Sequence, residues 1–132
     1  MTLGAAAELK RITLTLARSK EFPDGSKQFG YEFIAPVDQS GHIDVAVWKS
    51  KRADCVVRHF SAGQEGDTGM LVHKAGGKKG RWVFDYDFSQ KSDDEAGFHF
   101  EDHVFLPGEY VSICDARGTT HTFAVESVKT IT

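Results

Sequence analysis

Two histidines and a glutamate alternate in the stretch FHFEDH, residues 98–103. If this stretch is a strand, His99, Glu101 and His103 share one face, because successive side chains of a strand point to opposite sides. Residues two apart are then separated by about 6.5–7 Å, so adjacent pairs can bind one zinc or iron ion jointly. A metal site would need a further ligand from another strand. The alternative is the wet face of a strand whose phenylalanines point inward.

Three further histidines lie in strand-like segments: His59, His73 and His121. Each stands two residues from an apolar side chain and so shares the inward parity of its strand. If the strands curl into a barrel, the three imidazoles could meet at its interior or mouth and bind a small ligand or a metal ion. The alternative is three separate histidines at strand ends.

Two oppositely charged blocks follow one another in the sequence. The basic block, in the loop HKAGGKKGRW, contains Lys74, Lys78, Lys79 and Arg81. The acidic block includes Asp93, Asp94 and Glu95. We nominate residues 74–81 and 93–102 as contact regions for a protein or small-molecule partner, whose binding would depend on salt. The alternative is that the charges serve solubility alone.

Nucleic acid is not an expected partner. Trp82 and Phe84 could stack bases beside the lysines of the basic block. However, these aromatics share one strand face with Tyr86, a stripe that is more typical of a core. A net charge of −3 also provides no global basic field.

Nothing in the sequence assigns a catalytic residue. The motifs G-x-S-x-G, H-E-x-x-H and G-x-G-x-x-G are absent. Cys114 and His121 flank the turn DARG, and a hairpin centred there sets Ile113 opposite His121 and Cys114 opposite Thr120. Pleat parity then places the thiol and the imidazole on opposite faces, which argues against a nucleophile–base pair unless a bulge changes the parity. We therefore favour a protein that is not an enzyme.

The elements that position these residues are predicted to be mainly β-strands. In LKRITLTLAR, the residues Ile12, Leu14 and Leu16 alternate with polar ones. Similar strands recur between Gly-rich turns, which is typical of an all-β barrel or sandwich. We predict a flexible leader over residues 1–7 and one antiparallel β domain over residues 8–132.

This domain should contain about seven strands and at most one short helix. The segment at residues 43–54 fits either a strand or a helix, and we favour the helix because Ser40 or Asp44 could cap it.

The composition is that of a soluble protein in a reducing compartment. The chain has 132 residues, two cysteines and a pI near 6.0. Its N-terminus lacks the features of a signal peptide, and no apolar run is long enough for a membrane span. We expect cytoplasmic localisation and free thiols.

The expected function is binding without catalysis, through the charge-polarised surface. The alternative is a barrel that binds a small ligand or a zinc or iron ion, or an enzyme that uses the histidines. No cofactor is required by the first of these hypotheses. Self-association through edge strands is a third option.

Overall fold

Eight antiparallel strands form a closed barrel in the computed structural model, which describes residues 7–18, 23–61, 64–74, 81–85, 95–98, 104–114 and 119–131. Each strand pairs with the next one along the chain, and the last returns to pair with the first. The strands are β1 (Glu8–Leu16), β2 (Ser26–Val37), β3 (Val56–Ser61), β4 (Gln64–Lys74), β5 (Arg81–Asp85), β6 (Glu95–Phe98), β7 (Tyr110–Cys114) and β8 (Thr120–Thr130).

The register of β1 shows how the barrel closes. On one side Ile12 pairs with Phe33 of β2, and on the other it pairs with Val128 of β8. The prediction of a mainly antiparallel β domain is confirmed, as a barrel with eight strands where the sequence indicated about seven. Each described strand has a neighbour on both sides. Self-association through edge strands stays a prediction.

The predicted inward faces form the core. Ile12 and Leu14 are fully buried, and Leu16 is 6% exposed, as their alternation in the sequence predicts. Aromatic side chains from facing strands fill much of the interior: Phe33, Phe84 and Phe123 are buried and belong to one cluster. An eight-stranded barrel has an interior about wide enough for side chains to fill, and this barrel is filled in that way.

A close approach of β1 and β2 explains one glycine. A Cβ atom added at Gly30 would lie 1.8 Å from the carbonyl oxygen of Leu14. The register between the two strands shifts just beyond, between Thr15 and Leu16. Only a residue without a side chain fits there.

One short helix, α1 (Val45–Lys51), precedes a 3₁₀ helix (Arg52–Asp54). The Asp44 carboxylate accepts a hydrogen bond of 3.0 Å from the backbone N–H of Val47 and so caps α1. The helix buries Trp48 against the barrel. The ambiguous segment is therefore helical from residue 45 to residue 54, as favoured, whereas Ile43 forms a β-bridge with Val37. Within the described ranges, neither helix has the length and apolar character required to cross a bilayer.

Candidate ligand-binding site

Several predicted site residues lie outside the described residues. These are the proposed metal ligands His99, Glu101 and His103, together with four members of the charged blocks: Lys78, Lys79, Asp93 and Asp94. Their roles stay predictions.

The strand register separates the two charged blocks. Lys74 pairs with Arg81 where β4 and β5 meet. Glu95 pairs with Phe84, near the other end of β5. Since neighbouring strands run in opposite directions, the basic block begins and ends at one end of the barrel and the acidic block leaves β5 at the other. The span from Arg81 to Asp85 is about 13 Å at the usual rise per residue.

The three barrel histidines do not lie at the same end of the barrel. His59 lies three residues before the β3–β4 turn, and His121 directly follows the β7–β8 turn, so both lie toward the same end of the barrel. His73 lies next to Lys74, at the opposite end. Among the residues that the structure describes, no group of three His, Cys, Asp or Glu side chains could hold a metal ion.

Each histidine instead lies among apolar or aromatic neighbours. The His59 ring is 4.9 Å from that of Tyr31 and 5.2 Å from that of Phe29. The His73 ring is 4.6 Å from that of Trp82. His121 pairs with Ile113.

The hairpin between β7 and β8 has the predicted register. Ile113 pairs with His121, and Cys114 pairs with Thr120. Ile113 and Phe123 are buried, so Cys114 and His121 belong to opposite faces of the sheet. This register separates the Cys114 thiol from the His121 imidazole, as predicted.

A cavity of about 420 Å³ lies where the helices meet β4. We call it the Trp48 cavity. Its described lining is Trp48, Arg52, Ala53, Met70, Leu71, Val72 and Asp85. The volume falls within the roughly 300–1,000 Å³ that small-molecule sites commonly have.

Unequal strand lengths create this cavity. Val56, the first residue of β3, pairs with Met70, whereas β4 continues to Lys74. The 3₁₀ helix therefore occupies the space beside β4 where β3 would otherwise continue. Its attachment is made by backbone: the N–H of Leu71 donates to the carbonyl of Cys55 over 2.8 Å.

Trp48 fixes the other side of the cavity. Its indole Nε1 donates a buried hydrogen bond of 2.9 Å to the carbonyl oxygen of Leu71. Its ring meets Trp82 edge to face, with 5.5 Å between centroids. A buried indole with a satisfied N–H is rigid, so this wall is preformed.

The cavity combines an apolar floor with two charged walls. Met70 and Val72 alternate with the buried Leu71 and so belong to the outer face of β4. Arg52, on the 3₁₀ helix, is exposed. Asp85 pairs with Met70 from the side of β5. The site can therefore bury an apolar group between one basic and one acidic residue.

A second cavity, of about 170 Å³, is too small to compete. It lies around β2 and β3, where Arg58 approaches Glu32 to 3.7 Å. That arginine is also 5.7 Å from the centre of the Phe60 ring. Arg58 and Glu32 therefore already form an ion pair with each other.

None of the residues that line the Trp48 cavity is among the site residues nominated from the sequence. Period-two alternation identifies which residues of β4 point outward, but it does not show that β3 stops short. A tryptophan beside the charged run KSKRAD was the available signal. Comparison with protein-family models, curated proteins and solved structures finds no match.

Proposed function

We propose that this chain is a small-ligand-binding β barrel whose site is the Trp48 cavity. The observation that carries the proposal is the cavity itself: about 420 Å³, with a preformed tryptophan wall and an apolar floor. Small-molecule sites have this composition, with a few polar groups that orient the ligand.

Binding rather than catalysis is the better-supported activity. The described lining offers one carboxylate and one guanidinium, but no thiol, hydroxyl or imidazole. The nearest cysteine, Cys55, is fully buried, and burial raises the pKa of its thiol to about 11. Such a thiol is not a nucleophile near neutral pH.

The dye 8-anilinonaphthalene-1-sulfonate tests the proposal, because its apolar rings and sulfonate suit the floor and Arg52. We expect saturable binding to one site. The fluorescence of the dye, excited outside the tryptophan absorption band, measures this binding. Ala53→Trp fills the cavity from an exposed position and should weaken binding by at least about tenfold. Ala46→Trp is the matched control, because Ala46 is exposed on α1 but does not line the cavity.

Near-UV circular dichroism of each variant shows whether the dye reports a folded site, because the same dye binds loosely packed states. Equal dye affinity in the Ala53→Trp and Ala46→Trp variants, with native spectra for both, would reject the Trp48 cavity as the site.

Docking of a charged partner is the second candidate. The register pairs Lys74 with Arg81, so the two ends of the basic block meet at one end of the barrel. An acidic partner would be attracted to this concentration of basic residues. Capture of such a partner should weaken steeply as salt rises, and Lys74→Gln with Arg81→Gln should flatten that dependence. Capture that does not depend on salt would contradict this second candidate function.

A further inference from the structure

We infer that the ligand of the Trp48 cavity is an apolar carboxylic acid, bound as its anion with the carboxylate on the Arg52 guanidinium. The inference rests on the proposed function, and it adds the chemical class of the ligand. It comes from the polar groups that line the cavity and from the partners that most of them already have.

The polar groups of the inner walls have partners within the protein. The Trp48 indole N–H donates to the carbonyl oxygen of Leu71. The N–H of Leu71 donates in turn to the carbonyl oxygen of Cys55. Asp85 also has an interaction of its own. A ligand that bonded to one of these groups would exchange an existing interaction for a new one, so these groups add little to its affinity.

The floor of the cavity suits the apolar body of a ligand. Met70 and Val72 belong to the outer face of β4, and Ala53 follows Arg52 on the 3₁₀ helix. Met70 and Val72 are each half-buried. A ligand that covers them removes further apolar surface from water, which stabilises the complex.

The Arg52 guanidinium is suited to a carboxylate. Arg52 is exposed, and within the described part of the chain it forms no ion pair. A guanidinium donates hydrogen bonds and accepts none, so the group that it binds must be an acceptor. Its planar set of N–H donors matches the two oxygens of a carboxylate. A ligand bound in this way keeps its charge near water while its apolar body covers Met70.

The charges that follow Trp48 in the sequence also favour an anion. Residues 49–54, KSKRAD, carry three basic side chains and one acidic side chain. Lys49 and Lys51 lie in the last turn of α1, and both are exposed. A concentration of positive charge beside a cavity raises the local concentration of anions and lowers that of cations. An apolar amine should therefore bind more weakly than an acid of the same size.

A carboxylate on Arg52 does not need to approach Asp85. Asp85 pairs with Met70 from β5, on one side of β4. The 3₁₀ helix that carries Arg52 lies on the other side, where Cys55 bonds to Leu71. Neighbouring strands are about 4.8 Å apart, so two spacings separate the two backbones by roughly 10 Å. That separation is about one Debye length at moderate salt, which weakens the repulsion between the two carboxylates.

Three probes of equal chain length test the ligand class: octanoate, octanamide and octylamine, each below its micelle concentration. The readout is the indole N–H resonance of Trp48 in two-dimensional NMR. The chain has two tryptophans, so there are two such signals, and Trp48 donates its N–H inside the site. We expect octanoate to bind about fivefold tighter than either other probe, as for a partly exposed ion pair. This preference should shrink as salt rises.

Substitutions of Arg52 assign the carboxylate to this residue. Arg52→Gln should weaken octanoate binding by about fivefold and leave octanamide binding unchanged. Arg52→Lys keeps the charge but not the planar set of donors, so it should retain part of the preference for octanoate. Lys49→Gln is the matched control, because it removes the same charge from an exposed residue that does not line the cavity. It should leave most of the preference intact.

Equal binding of octanoate and octanamide, still weakened by Ala53→Trp, overturns the anionic ligand but leaves the cavity as the site. A preference that Lys49→Gln removes as fully as Arg52→Gln also overturns it, because net charge and not contact with Arg52 would then cause the preference. Near-UV circular dichroism verifies the fold of each variant, and if an Arg52 variant does not fold, the three probes on the unaltered protein decide. Probe binding that Ala53→Trp does not weaken overturns the proposed function as well.

Discussion

Trp48 links the interior of the barrel to the candidate site. Its indole N–H holds the carbonyl oxygen of Leu71, and its ring packs on Trp82. One face therefore belongs to the core while the side chain also lines the cavity. Residues with two such roles position a site rigidly, because the packing that stabilises the fold also fixes the wall.

Cys55 illustrates how burial sets chemistry at a single residue. Burial, with a smaller contribution from the neighbouring Asp54 carboxylate, raises the pKa of its thiol from 9.0 to about 11. A raised pKa in the folded state means that the folded protein holds this proton more tightly than the unfolded chain. The stabilisation from Cys55 is present below pH 9.0 and is lost as the pH rises toward about 11.

We therefore predict that the free energy of unfolding falls over that pH window, by on the order of 2 kcal/mol from this thiol. Urea denaturation of Cys55→Ala and Cys114→Ala variants measures it. The Cys114 variant should keep the fall and the Cys55 variant should lose that part of it. Identical pH profiles for the two variants would contradict the assignment.

At the scale of elements, the cavity results from a mismatch in length. β4 extends beyond the start of β3, and α1 with the 3₁₀ helix fills part of the space. Because α1 has seven residues, it is too short to be stable alone and depends on its cap and on Trp48. The rigidity of the site therefore depends on the Asp44 cap and on the packing of Trp48.

Asp44→Ala should destabilise the protein by about 1 kcal/mol, since it removes the N-cap acceptor of Val47. The same substitution loosens the helix that carries Trp48, so dye affinity for the cavity should fall too. Thermal unfolding and dye titration measure the two effects.

Asp44→Ser is the matched control, because serine also caps helices and should recover most of the stability. If Asp44→Ala left both the stability and the dye affinity unchanged, α1 would be held by packing alone.

For the whole molecule, barrel closure decides which residues can meet. A barrel in which each strand pairs with the next alternates its turns between two ends. The basic and acidic blocks, adjacent in sequence, therefore leave β5 at opposite ends, and His73 lies away from His59 and His121. This topology therefore separates Lys74 and Arg81 from Glu95, and His73 from His59 and His121.

Closure also predicts cooperative unfolding. Trp48 and Trp82 lie in one cluster with core residues of β1, β2 and β8, so their environment persists only while the barrel does. Urea unfolding followed by tryptophan fluorescence and by far-UV circular dichroism should give coincident transitions, as for most domains under about 150 residues. An earlier fluorescence transition would show that α1 detaches before the barrel opens.

Much of the fold was readable from local pattern. Alternation in LKRITLTLAR identified the buried face of β1, and the turn DARG identified the pairing of Ile113 with His121. Asp44 was one of two candidate caps of the helix, with Ser40, and it is the one that caps α1. These features follow from the period of the backbone and from capping, which depend on residues close together in the chain.

The candidate site could not be predicted from local sequence pattern. The sequence by itself determined a mainly antiparallel β domain, its inward faces and one hairpin register, and it favoured a helix over a strand at residues 43–54. Only the tertiary structure decided that β8 closes on β1, that β3 ends before β4 does, and that Arg52 and Asp85 consequently lie across one cavity. Pleat parity is a local property of each strand. Cavities arise from differences between strands brought together from distant parts of the chain, so no local period encodes them.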